Sequence, residues 1–217
     1  SPAKAIPKEA LLIECQPQGS DYMYTHMNTH TAARGKRILA MAISLLLLLG
    51  TACSSDGAGL PVEKFMDSTA GYQYPGLPWA SSREDTAKVI PMEEKGNSIG
   101  GGQIVYPARQ QFTLDGQTAS GEVEFFKDKL GSLVFDFVFK PEDNAWYEAR
   151  LEELTKIYGE PDSQTDHKIG TGETYRWTSE DERTCLELSS VEASTKQTVS
   201  IRLVSTDVVE EFRDRIS

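Results

Sequence analysis

Thiols, imidazoles and carboxylates are the side chains of this sequence that could perform chemistry. The three cysteines are Cys15, Cys53 and Cys185, and His167 is the one histidine that follows Cys53. A thiol or hydroxyl nucleophile needs a base within hydrogen-bond reach, and one loop histidine and one strand cysteine do not form a recognisable pair of that kind. The sequence therefore predicts no catalytic residue, and Cys185 is expected to be a small buried apolar residue.

Metal and phosphate sites are also not predicted. Asp162 and Asp166 lie near His167, but the stretch DSQTD lacks the Asp-x-Asp-x-Asp-Gly rhythm of a calcium loop. The glycine-rich stretch 96–103, GNSIGGGQ, lacks the Lys-Ser/Thr of a phosphate loop, so we expect a flexible loop there. All but three of the 33 carboxylates follow residue 52, which leaves open a glycosidase-like pair that the sequence does not locate. We expect no metal and no cofactor.

An apolar run precedes Cys53 and ends in LLLLLGTAC. It extends from Ile38 to Leu49, and its 12 residues rise about 18 Å as a helix, whereas a membrane span crosses about 30 Å of hydrocarbon. A buried core helix would have a polar face, which this run lacks. Three cations precede the run: Arg34, Lys36 and Arg37. A positive head followed by a short apolar segment is typical of a secretory signal.

The end of this run, Leu49-Gly50-Thr51-Ala52-Cys53, resembles the lipobox of bacterial lipoproteins. The resemblance implies cleavage between Ala52 and Cys53, and a covalent diacylglycerol and an N-acyl chain on Cys53. Ser54 in the next position implies sorting to the outer membrane in a host with two membranes. Gly50 stands where Leu or Val is usual, and a plain secretory cut near Ala52 is the alternative.

These features divide the chain into four segments. Residues 1–26 are interpreted as upstream sequence before a start at Met27, with a genuine cytoplasmic extension as the alternative. Residues 27–52 are interpreted as the lipoprotein signal peptide, residues 53–75 as a flexible tether and residues 76–217 as a single domain.

The part of the chain after the signal is strongly acidic. Residues 1–52 carry five cations and three anions, which is a net charge of +2. The whole chain has a net charge of −11, so the residues after 52 have a net charge of −13. Such an excess disfavours nucleic acid and anionic lipid as electrostatic partners. We therefore expect contact with a membrane through the lipid anchor and no nucleic-acid partner.

Periodicity predicts the elements of the domain. A short helix is expected between the capping pairs at Ser81 and Ser82 and Pro91, and a longer one over about 143–158, before Gly159. Alternation predicts a hairpin over 121–140 and strands at 174–178, 185–189 and 198–204, followed by a short helix that begins at Thr206. The predicted fold class is α+β: an antiparallel sheet of about six strands, with two main helices on one face, a short C-terminal helix, and a disordered or helical leader.

Five stretches together are similar to a recurring pattern of bacterial envelope proteins, most of them uncharacterised secreted proteins and lipoproteins. They are PWASSREDTAKV, FFKDKLGSLVFDF, LEELTKIYGEPD, YRW and VSIRL, a pattern of the Trp-Ala-Ser-Ser … Tyr-Gly-x-Pro type. The layout also resembles, at the level of fold, the small modules of β-barrel-assembly lipoproteins and β-lactamase inhibitory proteins. The resemblance implies structural roles for the motif residues, with Trp79, Trp146 and Trp177 as core or rim aromatics, and no catalytic role.

Two classes of function remain open from the sequence. The first is a membrane-anchored bacterial envelope lipoprotein on the periplasmic face of the outer membrane, whose non-enzymatic domain binds an unknown envelope protein. The alternative is a small-ligand-binding or carboxylate-dependent hydrolase domain in the periplasm. Converging acids of raised pKa in a concave pocket favour the hydrolase, and a filled core with an exposed patch favours the binding module.

Overall fold

The structure, a computed structural model of the 217-residue chain, describes residues 57–141, 144–167 and 171–214. Its strands are β1 (Ala58–Gly59), β2 (Met66–Asp67), β3 (Gly71–Tyr72), β4 (Asn97–Gly100), β5 (Gln103–Pro107), β6 (Phe112–Leu114), β7 (Gln117–Phe126), β8 (Lys129–Phe139), β9 (Ser163–Asp166), β10 (Thr171–Thr178), β11 (Thr184–Ala193) and β12 (Lys196–Ser205). Its helices are α1 (Arg83–Val89), α2 (Ala145–Tyr158) and α3 (Thr206–Asp214), with a 3₁₀ turn at Val62–Lys64.

The described strands form one ten-stranded mixed sheet and a separate pair, β2 with β3. Along the large sheet the order is β1-β6-β7-β8-β12-β11-β10-β9, and β5, which also pairs with β4, lies beside β7 as well. β1 runs parallel to β6, whereas β7, β8, β12, β11 and β10 pair antiparallel. The predicted fold class, an antiparallel sheet of about six strands with two main helices on one face, is therefore wrong.

Three of the strands that the sequence does not predict are short and exposed. β1, β4 and β9 have two to four residues each, and all of them are exposed, so no alternation of apolar and polar residues marks them. The stretch 96–103, expected to be a flexible loop, forms β4 and the turn into β5. The strongly alternating stretches are strands as predicted: β7 and β8 form the hairpin, and its turn residues Lys127 and Asp128 both have positive φ.

Alternation along the central strands gives the large sheet one apolar and one polar face, because successive side chains of a strand point to opposite sides. Cross-strand partners on the apolar face are at most 1% exposed; they are Leu133 with Leu203, Phe135 with Ile201, and Phe137 with Val199. Trp177 of β10 is buried beside them, as the sequence predicts. The core of the domain therefore lies on this face.

Helices α1 and α2 contribute side chains to that core. Ser82 caps α1 by accepting a hydrogen bond from the Asp85 N–H at 3.2 Å, which is the second of the two capping pairs in the sequence. α2 packs Tyr147 and Leu154 into the core and stops at Gly159, whose φ of 87° disfavours residues with a Cβ. None of the described helices is long and apolar enough to cross a membrane.

Residues 57–75, for which the sequence predicts a tether, are part of the packed domain. Four side chains of this segment are at most 4% exposed: Leu60, Val62, Phe65 and Tyr72. Tyr158 of α2 holds the segment, because its hydroxyl donates to the Val62 carbonyl and accepts from the Phe65 N–H at 3.2 Å. The apolar residues of the segment follow no strand or helix period, so a local sequence pattern does not predict this packing.

Removing the hydroxyl of Tyr158 tests the attachment of this segment. Tyr158→Phe leaves the Val62 carbonyl and the Phe65 N–H without their partner, and buried polar groups left in this way cost about 1–3 kcal/mol. We expect the free energy of unfolding, measured with urea, to fall by about 2 kcal/mol.

Tyr74→Phe is the matched control, since Tyr74 packs against Phe65 and Phe135 and its hydroxyl has no hydrogen bond within the described residues. Equal unfolding midpoints for the two variants would show that the Tyr158 hydroxyl does not hold the segment.

Candidate functional site: the polar face of the sheet

The polar face is the side of the five central strands that lies opposite the core. Register pairing aligns its side chains in rows that cross β7, β8, β12, β11 and β10. We define it by these residues: Glu122, Glu124, Ser132, Val134, Asp136, Val138, Thr174, Arg176, Glu187, Ser189, Ser200 and Arg202. Four carboxylates and two guanidinium groups thus share one face with hydroxyls and valines.

Arg202 of β12 is the centre of a hydrogen-bonded row of charges. Its guanidinium group donates to Glu124 Oε2 and to Ser132 Oγ, both at 2.9 Å, and lies 3.8 Å from Glu187 Oε2. Glu187 in turn accepts a hydrogen bond from Arg176 Nε at 2.9 Å. The side chains of Glu124 and Glu187 are only 12% and 13% exposed, so water screens these charges less than it screens surface pairs.

Glu122 and Asp136 are the carboxylates that this row leaves without an ion pair among the described residues. Glu122 lies opposite Val134 on β8, and Asp136 is two residues further along, so the two acids are diagonal neighbours. Burial raises the pKa of Glu122, and the charge of Asp136 raises this pKa further. Burial also raises the pKa of Asp136, against the effect of the Ser200 hydroxyl, which donates a hydrogen bond to it. The polar face therefore holds an excess of half-buried negative charge.

Helix α3 covers one end of the polar face. Val208 and Phe212 pack against Phe126, and the ring centroids of the two phenylalanines are 5.3 Å apart. Cys185, near the same end, is 2% exposed, and burial raises the pKa of its thiol to about 12. This thiol stays protonated and packs as a small apolar group, as the sequence predicts. Away from α3 the face is open, and Val138 is 59% exposed.

The residues predicted for lipidation, cleavage and sorting lie outside the described part of the chain. They are Cys53, Ala52 and Ser54, and residues 51–56 precede the first described residue, Gly57. Their assignment stays a prediction from the sequence.

The polar residues around β9 serve separate local contacts. Asp162 accepts a hydrogen bond from the Thr178 N–H at 2.6 Å, before β9 begins. Asp166 ends that strand, and the ring of His167 lies 3.0 Å from the Thr174 hydroxyl. Within residues 57–141, 144–167 and 171–214, no three histidine, cysteine, aspartate or glutamate side chains are grouped so as to hold a metal ion.

Sequence reasoning did not single out the charges of the polar face. The alternation Glu122-Val123-Glu124-Phe125 places both glutamates on one face of a predicted strand, but it does not show which of them meets a cation. Which charges meet depends on pairing between distant strands: Glu124 and its partner Arg202 are 78 residues apart. The site therefore depends on the long-range strand register, which a local sequence pattern does not show.

Comparisons with known proteins assign no function to these residues. No family model and no curated protein matches the chain. Among solved structures, the chain is similar to the crystal structure of a DUF4309 family protein (YjgB) from Bacillus subtilis subsp. subtilis str. 168. The sequence identity is 14% and the TM-score 0.41, over 70% of this chain and 99% of that chain. What is proposed for this chain therefore comes from its own residues.

Neutralising Glu122 tests the electrostatics of the polar face. A carboxyl whose pKa is raised by folding holds its proton more tightly in the folded chain, so it destabilises the fold once the pH rises above the ordinary pKa of 4.5. We expect Glu122→Gln to raise the urea midpoint at pH 7 and to leave it almost unchanged at a pH well below that value.

Glu152→Gln, which removes an exposed carboxylate from α2, is the control and should change neither midpoint. A Glu122→Gln midpoint equal to that of the wild type at pH 7 would contradict the raised pKa.

Proposed function

We propose that this chain is a lipid-anchored protein of the bacterial cell envelope whose folded domain is a non-enzymatic module that binds another envelope protein through the polar face. The observation that carries the binding role is the excess of half-buried carboxylate on an open sheet face. Glu122 has no ion-pair partner among the described residues. Asp136 accepts a hydrogen bond from Ser200, and although the charges of Lys196 and Arg202 act on it, burial still raises its pKa. Burying charge without compensation costs free energy, so a face of this kind is best satisfied by a partner that supplies the opposite charge.

The chemistry of the face points to a partner with basic side chains. An arginine or lysine placed over Glu122 and Asp136 would form charge-assisted hydrogen bonds with both carboxylates. Val134 and Val138 flank the acids on β8, so the aliphatic stem of the same basic residue has an apolar surface to pack on. The arginines of the face are already engaged with Glu124 and Glu187, so they compete little for these acids.

The anchor of the proposed lipoprotein is Cys53. Cleavage after Ala52 would free its amino group for the N-acyl chain, and its thiol would carry the diacylglycerol. Stable anchoring of a protein to a membrane takes two membrane-binding signals, such as two acyl chains, and the acyl chains on Cys53 exceed that number. Each CH₂ group that they bury in the bilayer contributes about 0.8 kcal/mol. With Ser54 next to the lipidated residue, we place the protein at the periplasmic face of the outer membrane in a host with two membranes.

A small-ligand-binding or carboxylate-dependent hydrolase domain is the second candidate. Two neighbouring carboxyls with raised pKa, Glu122 and Asp136, are the observation that favours it, because acid catalysis at neutral pH uses such groups. A small ligand would bring no second protein to the polar face. A crosslinking probe at Val138 would then form no protein adduct, which separates this candidate from the binding module.

Acylation of Cys53 is tested by labelling cells with a clickable fatty-acid analogue. We expect the wild-type chain to be labelled and to fractionate with the outer membrane, and Cys53→Ser to lose the label and to leave the membrane fraction. Cys185→Ser is the matched control, since that thiol is buried in the fold and should not affect the label. Equal labelling of the wild type and Cys53→Ser, or wild-type protein in the inner membrane, would overturn the assignment.

Binding through the polar face is tested by photo-crosslinking in living cells. Benzoylphenylalanine at Val138, 59% exposed on the polar face, should give one discrete protein adduct, and the same probe at Ile157, 37% exposed on α2, should not. Glu122→Lys should abolish the adduct at position 138, because it repels a basic partner.

Asp166→Lys reverses an exposed charge on β9 and should leave that adduct unchanged. Failure of position 138 to give an adduct, or the same adducts from both probe positions, would overturn the interaction role.

A further inference from the structure

The first described residues of the chain are fixed to the edge of the large sheet. The Ala58 N–H donates to the Gln111 carbonyl at 2.9 Å, and the Leu60 N–H donates to the Thr113 carbonyl at 2.8 Å, as β1 pairs with β6. Gly57 lies so close to this strand that an added Cβ would be 2.8 Å from the Gln111 carbonyl oxygen. The chain is therefore in contact with the folded sheet from Gly57 onward.

Only three residues, 54–56, lie between this fixed point and Cys53. A chain extends by at most about 3.6 Å per residue, so the Cα atoms of Cys53 and Gly57 are within about 14 Å of each other, whatever the conformation of the residues between them. A flexible tether over residues 54–75 would instead have an r.m.s. reach of about 26 Å. The packing of residues 57–75 thus removes most of the distance that the sequence alone allows between anchor and domain.

We infer that the β1–β6 edge of the sheet is held against the lipid surface and that the β9 edge points away from it. This inference rests on the lipidation of Cys53 proposed above. β1 and β9 are the two ends of the strand order, separated by seven steps of about 4.8 Å, or about 34 Å along the sheet. The headgroup region of one leaflet is about 5–7 Å thick, so a link of at most about 14 Å keeps the β1–β6 edge within about 10 Å of the headgroup surface.

Charge keeps the sheet from lying flat on the membrane. The chain after residue 52 has a net charge of −13, and the polar face itself carries more carboxylates than guanidinium groups. An anionic lipid surface repels such a face over about one Debye length, about 8 Å at physiological ionic strength. The domain therefore stands on its β1–β6 edge, and the polar face is presented beside the membrane rather than toward it.

Fluorescence quenching by lipids tests this orientation on the full acylated chain. Gly59→Cys places a label on exposed β1, where an added Cβ meets nothing within 4 Å, and Thr165→Cys places one on exposed β9. The buried Cys185 should remain unlabelled, which the wild-type chain checks. The proteins are incorporated into vesicles of phosphatidylethanolamine and phosphatidylglycerol in which some headgroups carry a nitroxide quencher.

We expect the label at position 59 to be quenched several-fold more strongly than the label at position 165. Insertion of about twelve Gly and Ser residues between Ser55 and Asp56 gives a link with an r.m.s. reach of about 22 Å, and should bring quenching at position 59 down to the level at position 165. Equal quenching at the two positions without the insertion, or stronger quenching at position 165, would overturn the orientation.

The mass of the N-terminal peptide separates this inference from the proposed function. An acylated Cys53 together with equal quenching refutes the orientation and leaves the lipoprotein assignment intact. An unmodified Cys53 overturns both, because the short link then has no membrane anchor at its end.

Discussion

β8 and β12 pair over eight residues and join the two halves of the large sheet, since each of them is the last strand of its own meander. Their register builds both faces at once. Phe135 meets Ile201 on the core side, and the adjacent pair, Val134 with Arg202, lies on the polar side. A slip of β12 by one residue would move Arg202 into the core, and a slip of β8 would move Asp136 there; in either case a buried charge costs several kcal/mol. The hydrophobic core thus fixes which charges meet on the opposite face.

The sequence predicts those parts of the fold in which the period of the pattern is strong and the contacts are local. β7, β8 and α2 belong to this class, because their apolar residues recur at spacings of two, or of three and four, over ten or more residues. The predicted class of the fold failed elsewhere. Short strands such as β4 and β9 form because each pairs with the edge of a neighbouring strand. Residues 57–75 pack on the domain because the Tyr158 hydroxyl of α2 forms a hydrogen bond with them. Both depend on residues far away in the chain, which a local pattern cannot show.

Prediction of the candidate site from the sequence is limited in the same way. Nothing in the sequence distinguishes Glu124, which is paired with Arg202, from Glu122, which has no ion pair among the described residues, since both stand at polar positions of the same strand. The difference comes from the register of β7 and β8, which sets Glu124 opposite Ser132 and Glu122 opposite Val134, and from the reach of the Arg202 guanidinium group across β8. Charge excess on a face is a property of the assembled sheet, whereas the net charge of the chain indicated only that the surface is acidic.

If Cys53 is lipidated as proposed, the packing of residues 57–75 links the stability of the domain to the geometry of its anchoring. A long flexible tether would raise the concentration of the polar face near the membrane over a wide range of heights and orientations, whereas a link of three residues would restrict both. With Cys53 lipidated, a partner gains from this restriction only if it presents its basic surface at the matching height, because a short link cannot stretch to reach it. The same buried residues, Leu60, Val62 and Phe65, therefore complete the core and, in the proposed lipoprotein, would restrict which partners the polar face can meet.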